Sequence, residues 1–430
     1  MLFSCLARRR CAWALLIILG GSVTVAAAQT ASAPPLTLDA AVRQGVIHTP
    51  LLTARNADLD ATREESVRAG RLPDPSLTFG VSNFPVTDPG AFSLRSDTMT
   101  MRTIGVMQTI PSRAARTAER SLAAAQVDAA EAERTATTQD VRERIADAWI
   151  GVWAATQQRT LLDALRDEST LAVQVAKARL RGGTGSAADV LAAQAQALTL
   201  ANRIEAADAE LQAARASLQR WLGDAPTALA DAPDFDQLPV APDQLEQHTD
   251  RQAPMQAWQA REQVADAALA QARASKHPDW SVDVTYGRRA PYLSDMVMVQ
   301  MGVSLPLFTR NRQDRAISAK QAQRDAVESA HEDARRAQRE TVARDVAAWQ
   351  GWGRQIARDR TALLPLARDR SRVALAAYRG GGTLQPWLDA RRDEIALRLD
   401  YADALAARAR AWAALAYLLP ESTSSSENLP

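Results

Sequence analysis

Cysteine and aromatic residues are scarce in this chain of 430 residues, and each scarcity excludes a class of structure. The two cysteines, Cys5 and Cys11, lie in the N-terminal segment, so the rest of the chain has no thiol chemistry and no disulfide framework. Aromatic residues make up 5% of the sequence, whereas a single compact core in a chain of this length would use more of them. Long helices that pack through small side chains are therefore expected.

Long hydrophobic runs are also missing, and the charges nearly cancel. After about the first thirty positions no run of eighteen apolar residues occurs, which excludes a transmembrane helix from that part of the sequence. If the chain crosses a membrane, it must do so with strands. The 51 Lys and Arg residues balance 50 Asp and Glu residues to give a net charge of +1, so no nucleic-acid partner is expected.

The N-terminal segment has the pattern of a secretory signal peptide, predicted over residues 1–28. Three arginines at 8–10 precede an apolar stretch at 12–25, and the alanines at 26–28 supply a small-residue cleavage site. The alternative, a short membrane anchor, is disfavoured by that small-residue end. Neither cysteine follows the apolar stretch, where a lipid-accepting cysteine would lie, so the exported chain is expected to carry no lipid.

An internal duplication dominates the rest of the sequence. Four short segments recur in the same order about 200 residues further on: 72–77 at 277–282, 104–106 at 301–303, 148–151 at 348–351, and 180–183 at 378–381. Ordered matches at nearly the same offset indicate two copies of one structural unit. We therefore predict a first repeat over 29–240, a second repeat over 241–420 and a flexible C-terminal tail over 421–430.

Each repeat is predicted to contain long helices. Proline is absent from 112 to 225 and again from 307 to 364. A continuous helix over 112–180 would extend about 100 Å at the usual rise per residue. On the returning segment the apolar residues repeat every seven positions, which predicts a left-handed coiled coil rather than a solvated single helix; they are Val190, Ala197, Ile204, Leu211 and Leu218.

Between the helices of each repeat lies a pair of segments in which apolar and polar residues alternate. Period two predicts strands at 76–83 and 100–110 in the first repeat, and at 280–287 and 296–307 in the second. Each is about ten residues long, which is what a tilted strand needs to cross a bilayer, although an ordinary sheet shows the same alternation. Four strands cannot close on themselves, and open edges are costly in lipid, so membrane insertion would require an oligomer whose copy number the pattern leaves open.

These features resemble the TolC family of outer-membrane efflux channels. The resemblance extends from Leu36-Thr37-Leu38-Asp39 through the segments 181–191 and 303–312 to the helix ending Leu418-Leu419. The segment 303–312 resembles the branch that serves exporters of cobalt, zinc and cadmium or of copper and silver.

The resemblance implies a mainly α fold with β, in which long antiparallel coiled-coil helices form a periplasmic α-barrel. Four transmembrane strands per protomer would complete a twelve-stranded β-barrel in a homotrimer. It further implies location in the outer membrane of a Gram-negative bacterium, in contact with lipid and with most of the mass in the periplasm. The implied partners are a periplasmic adaptor protein and an inner-membrane pump of the RND type.

Two glycine-rich segments interrupt the helical pattern and predict helix–helix turns, because glycine tolerates positive φ. The resemblance adds that these turns form the periplasmic tip where the adaptor docks. The residues expected at that contact are Gly182, Gly183, Thr184, Gly380, Gly381 and Gly382.

Beside the second turn the resemblance implies a pore gate made of a tyrosine and inward-facing aspartates. Tyr378 and Asp389 match those positions, whereas Trp387 occupies a position that is acidic in the family, and the second turn is expected to be about one residue shorter than the first. The alternative for Asp389 is an ordinary carboxylate in the first turn of a helix, favoured there by the helix dipole.

Residues that carry chemistry are few, so neither an enzyme nor a metal or other cofactor is expected. The four histidines have no partner at helical metal-ligand spacing. Met296 and Met298 share one strand face whereas Met301 lies on the other, so they cannot form one thioether site. The function that the resemblance implies is that of the outer-membrane channel of a tripartite efflux system, which passively conducts heavy-metal cations. Export of organic compounds or of proteins, or a non-channel periplasmic scaffold, remain alternatives.

Overall fold

The computed structural model describes residues 35–87, 89–224 and 228–419. The predicted signal peptide and C-terminal tail lie outside these ranges. The helices are α1 Leu38–His48, α2 Pro50–Arg68, α3 Arg113–Asp163, α4 Arg166–Arg181, α5 Ala187–Leu222, α6 Pro242–Gln247, α7 Ala253–Ala274, α8 Gln313–Arg358, α9 Leu364–Arg379 and α10 Gln385–Ala416. The strands are β1 Ser76–Ser82, β2 Met101–Ile110, β3 Trp280–Arg288 and β4 Met296–Val303.

The longest described helix, α3, begins where its N-cap residue satisfies the first backbone N–H groups. The Ser112 hydroxyl accepts a hydrogen bond from the Ala115 N–H at 3.1 Å. The helix then continues for 51 residues, or about 77 Å. The expected continuous helix over 112–180 is wrong in one respect, because the chain turns at Ala164 and Leu165 before α4 begins. No proline or glycine marks that interruption.

The second repeat has an interruption at the corresponding place. Residues Asp359–Leu363 form a π-helical turn between α8 and α9. Pro365 follows at once in α9, where it lacks an N–H and its ring crowds the carbonyl of the preceding turn. A wider turn at this point accommodates both effects. In each repeat the helix beyond the interruption, α4 or α9, has 16 residues.

The helices pack around buried aliphatic residues, alanines and tryptophans. In the main cluster Ile145, Trp149 and Ile150 of α3 are fully buried against residues of α1, α5 and α10. The Trp149 Nε1–H donates to the carbonyl of Leu36 at 3.0 Å, and Trp349, its counterpart in the second repeat, donates to the carbonyl of Phe235 at 2.9 Å. The duplicated tryptophans therefore fix equivalent loops to equivalent helices.

The seven-residue pattern of α5 faces its neighbours as predicted. Ile204, Leu211 and Leu218 are buried, and Leu211 and Leu218 belong to the main cluster. Because α5 lies along α3, this stripe forms the seam between the two long helices of the first repeat.

The strands form one antiparallel sheet in the order β1-β2-β3-β4. The register pairs Leu77 with Val106, Val106 with Val284 and Val284 with Val299, so one face of the sheet is apolar. We call this the apolar face and the opposite side the polar face. In the described residues the outer edges of β1 and β4 have no pairing strand.

The fourth strand is shorter than predicted. It ends at Val303 rather than at residue 307. Pro306 has no N–H to contribute to a ladder, so pairing cannot continue regularly through it. None of the described helices is both long and apolar enough to cross a bilayer.

Candidate functional site

The first glycine turn, residues 182–186, ends α4 with a Schellman motif. The Thr184 N–H donates to the carbonyl of Arg179 at 3.0 Å, and the Gly183 N–H donates to that of Leu180 at 3.2 Å. Gly183 has φ of +73°, a conformation that glycine adopts without strain. The turn then passes directly into α5, where Ser186 and Asp189 form a reciprocal capping box.

The second turn, residues 380–384, repeats the motif. The Gly382 N–H donates to the carbonyl of Ala377 at 3.0 Å, and Gly381 has φ of +102°. Five residues separate the helices in both turns, so the expectation of a shorter second turn is wrong. The difference lies in the cap: the N-cap residue of α10 is Leu384, whose side chain is buried and cannot cap the helix as Ser186 does for α5.

Only some glycines of the predicted docking set are required by backbone geometry. Gly183 and Gly381 occupy the positive-φ positions, and a Cβ on either would meet no atom within 4 Å. Gly182 and Gly380 have negative φ, where a Cβ would make only ordinary contacts. Gly382 is close to the chain, because its Cβ would lie 2.9 Å from the Ala377 carbonyl oxygen. The exposed glycines of the two turns thus present backbone that a partner could approach.

Tyr378 contacts residues beside both glycine turns and does not project from the surface. Its ring is buried and stacks on that of Trp387, with centroids 6.2 Å apart and planes within 3°. The Arg179 guanidinium lies over the Tyr378 ring, with its Cζ 4.3 Å from the ring centroid, and its Nη1 donates to the Tyr378 carbonyl at 3.3 Å. A residue at the end of α4 therefore holds the end of α9.

Trp387 has a packing role that explains why no acidic residue occupies its position. It belongs to a buried cluster with Leu384, Leu388, Ala176 and Ala193, so α10 is anchored to α4 and α5 by its first turn. A carboxylate at this place would lose its solvation without gaining a partner among these apolar side chains.

Asp389 lies on α10 beyond the first turn, so the alternative of a first-turn carboxylate is wrong. Gln385 Nε2 donates to Asp389 Oδ1 at 3.0 Å, and Arg392 Nη2 lies 3.3 Å from the same oxygen. The side chain is 35% exposed. Among the described residues no hydrogen bond or ring contact joins Asp389 to Tyr378, so the two predicted gate residues occupy different environments.

An ionic network next to these residues was not predicted. Glu394 is 1% exposed and receives hydrogen bonds from Arg391 at 2.7 Å and from Arg398 at 2.5 Å. Arg391 also donates to Glu168 of α4. Burial raises the pKa of Glu394, but the two guanidinium groups outweigh burial and hold the pKa below its usual value. The spacing of the three α10 residues is a helical pairing signal, whereas the contact with Glu168 is visible only in the fold.

Metal ligands are not gathered anywhere in the part of the chain that the structure describes. No group of three or more His, Asp, Glu or Cys side chains there could hold a metal ion. The strand register puts Met298 opposite Thr285 on the polar face and Met301 opposite Val282 on the apolar face. His331 Nδ1 forms a hydrogen bond with Glu262 Oε1 at 2.8 Å, and the imidazole ring stacks on the indole of Trp258. These contacts are those of a packed side chain.

The paired long helices and the four-stranded sheet define the fold of outer-membrane channels. The outer-membrane channel OprN superimposes with a TM-score of 0.76 at 18% identity, covering 88% of this chain and 89% of that one. A membrane protein from Pseudomonas aeruginosa gives a TM-score of 0.77 at 20% identity, with 89% and 90% covered. These likenesses confirm the predicted TolC-like fold.

The chain belongs to the outer membrane efflux protein family, whose model matches residues 41–224 and 245–420. It is also similar to the cobalt-zinc-cadmium resistance protein CzcC of Cupriavidus metallidurans, at 25% identity over 287 residues. That match covers 65% of this chain and 65% of CzcC, so the chain spans just under two thirds of that relative. The predicted resemblance to the family is confirmed.

Proposed function

We propose that this protein is the outer-membrane channel of a tripartite efflux system. In such a system it conducts cargo passively from an inner-membrane pump of the RND type and a periplasmic adaptor to the exterior. The observation that carries the proposal is the sheet, which has one apolar face, is joined to long helical hairpins and, within the described ranges, has two edges without a pairing strand. Family membership supports the same function.

The sheet's unpaired edges favour assembly with other copies of the chain. In lipid each unpaired backbone group costs several kcal/mol, so β1 of one copy would pair with β4 of the next. Three copies would close a ring of twelve strands, with the apolar face toward lipid and the polar face, which carries Thr78, Asp283 and Thr285, toward a pore. The same ring would align three sets of paired helices in the periplasm.

In this proposal the two glycine turns are the adaptor-docking tip. Gly182, Gly183 and Thr184 of the first turn and Gly380, Gly381 and Gly382 of the second are exposed, and the five glycines have no side chain that would keep another backbone away. The gate would lie beside the second turn, where Asp389 is the solvent-facing carboxylate. Tyr378 would act indirectly, because its stack on Trp387 holds the start of α10 in place.

Heavy-metal cations are the proposed cargo, because the relative CzcC is a cobalt-zinc-cadmium resistance protein. A conduit must release what it conducts, so a site that binds the cation tightly would slow transport. Selection of the metal is therefore assigned to the pump. Neither catalysis nor a cofactor forms part of the proposal.

The test is deletion of the gene followed by growth on cobalt, zinc, cadmium, copper and silver salts and on a panel of organic drugs. We expect sensitivity to at least one metal with no change for the drugs, and restoration by the intact gene. Fractionation of the complemented strain should recover the chain in the outer membrane as a detergent-stable trimer. Sensitivity to drugs alone would overturn the metal assignment, and a soluble periplasmic monomer would overturn the channel.

A further inference from the structure

A cavity of about 300 Å³ lies between α4, α5 and α10, beside the buried cluster that contains Tyr378. Its walls come from both repeats, since α4 and α5 belong to the first and α10 to the second. The volume is at the lower end of the range for small-molecule sites, enough for a bicyclic ring system. Nothing in the channel function described above uses this cavity.

The inner wall of the cavity is apolar and partly flat. It is formed by Ala172, Ala193, Leu200, Leu388 and the ring of Trp387. Ala193, Trp387 and Leu388 are buried, so the wall is a fixed part of the core and not a set of mobile surface side chains. An aromatic ligand could pack on such a wall, because alanines leave room and the indole offers a face for stacking.

The rim of the cavity carries three arginines and one carboxylate: Arg203, Arg391, Arg392 and Glu168. Arg391 is neutralised by Glu168 and Glu394. Arg392 shares its charge with Asp389 at 3.3 Å and with Asp393 at 3.9 Å.

Arg203 is the unbalanced charge of the rim. Among the described residues it has no hydrogen-bond or ion-pair partner, and it lies exposed on α5. The cavity therefore has an apolar interior and an unneutralised cation at its opening. Guanidinium groups bind carboxylates and sulfonates well, because their planar N–H groups match two anionic oxygens.

We propose that this cavity binds a small organic anion with a flat apolar body, such as an aryl carboxylate or an aryl sulfonate. The ring would pack between Ala172 and Trp387, and the anionic group would face Arg203 at the rim. A ligand in this place would contact α4, α5 and α10 at once and would hold α10 against the first repeat. Binding at this site would not depend on which cargo the protein conducts.

Isothermal titration calorimetry on the full-length, detergent-solubilised protein tests the proposal. Naphthalenesulfonate is the probe, and naphthalenemethanol is its uncharged counterpart of similar size. We expect one sulfonate per chain and about tenfold weaker binding of the alcohol, which lacks a charge-assisted contact with Arg203. Equal affinity of the two compounds, or no sulfonate binding, would overturn the proposal; the second result is expected if a neighbouring chain fills the cavity on assembly.

Three variants identify the site. Arg203→Gln should weaken sulfonate binding about tenfold. Ser169→Phe and Gln196→Phe should each abolish it, because these half-buried lining residues make no side-chain hydrogen bond in the structure and a phenyl ring there would occupy the cavity. The control is Arg368→Gln, which removes an exposed arginine of α9 outside the cavity and should leave binding unchanged.

The same variants can also refute the proposal. We call Ser169→Phe and Gln196→Phe the filled variants. Size-exclusion elution and circular dichroism first show which of them assemble normally. Sulfonate binding that persists in an assembled filled variant would place the ligand elsewhere. Were both filled variants misassembled, wild-type affinity in Arg203→Gln would by itself refute the site.

Discussion

Glu143 of α3 is a half-buried carboxyl group with a high pKa. Burial raises its pKa, and the negative charges of Asp140 and Asp345 raise it further, to about 7. Between its ordinary value near 4.5 and this raised value, the folded chain binds a proton that the unfolded chain has released. The contribution of Glu143 to stability therefore falls as pH rises through this window, and above it the folded chain carries an unfavourable charge.

Glu143→Gln should remove this pH dependence. At about pH 8 the variant should be more stable than the wild type by about 1 to 2 kcal/mol, a figure reduced for the solvent that still reaches the side chain. The advantage should nearly disappear by about pH 4, where Glu143 is mostly protonated in both states of the wild-type chain. Thermal unfolding followed by circular dichroism measures it. Glu119→Gln, at an exposed position of the same helix, should show no such trend, and a constant advantage at both pH values would contradict the assignment.

In the first Schellman turn the neighbouring residues Gly182 and Gly183 differ in backbone conformation. Gly183→Ala should destabilise the turn by about 1 kcal/mol, because alanine disfavours positive φ. Gly182→Ala is the matched control and should cost a few tenths at most, since its φ is negative and its Cβ has room. Hydrogen exchange of the Thr184 amide, which makes the closing bond of the motif, reports the difference. Equal exchange rates in the two variants would argue against it.

At the scale of elements, periodicity made much of the fold predictable. The seven-residue stripe of α5 has an apolar residue at every seventh position and the strands have one at every second position, so burial on one side could be inferred directly. The two hairpins, β1 with β2 and β3 with β4, and the apolar face follow from that alternation together with the short connections within each pair. The pairing of β2 with β3 joins the two repeats and is visible only in the fold.

The interruption between α3 and α4 could not be predicted. Ala164 and Leu165 are good helix formers, and both retain right-handed helical backbone angles where the hydrogen-bond pattern changes. The end of β4 was missed for a different reason. Leu305 and Leu307 continue the alternation of side chains, but Pro306 between them removes the backbone donor, and backbone pairing decides where a strand ends.

Adjacent residues of β4 offer a matched test of the apolar face. Val299 and Gln300 are both exposed in the protomer but lie on opposite faces of the sheet. Val299→Asp should cost about 2 kcal/mol by placing a charge toward lipid and should reduce the amount of assembled oligomer. Gln300→Asp should assemble normally on mild detergent gels. If both variants assemble equally well, the apolar face is not the membrane surface.

At the scale of the whole molecule, the positions of the turns could be predicted but the contacts between them could not. Glycine runs indicate where a helix ends, because the requirement is local. The stack of Tyr378 on Trp387 and the contact from Arg179 depend on how two hairpins about 200 residues apart in sequence lie together. The small-molecule cavity depends on the same arrangement, and no single segment of the sequence carries a sign of it.

Metal export should be insensitive to the thioether groups of β4. Simultaneous replacement of Met296, Met298 and Met301 by leucine keeps volume and apolarity, so the variant should assemble and should restore metal resistance to a deletion strain fully. The measurement is the minimal inhibitory concentration of each metal, compared with oligomer abundance on the same cells. Lost resistance at normal abundance would show that this chain helps to select its cargo.

The equal length of α4 and α9 has a mechanical consequence. Each extends about 24 Å from its interruption to its glycine turn, so a tilt of about 10° at both interruptions would displace both turns by the same amount, about 4 Å. Arg179 and Tyr378 would then travel together and keep their contact. A residue inserted into α4 alone would instead raise one turn by about 1.5 Å and rotate it by about 100° relative to the other. Insertions and deletions should therefore be tolerated in these two segments only as pairs.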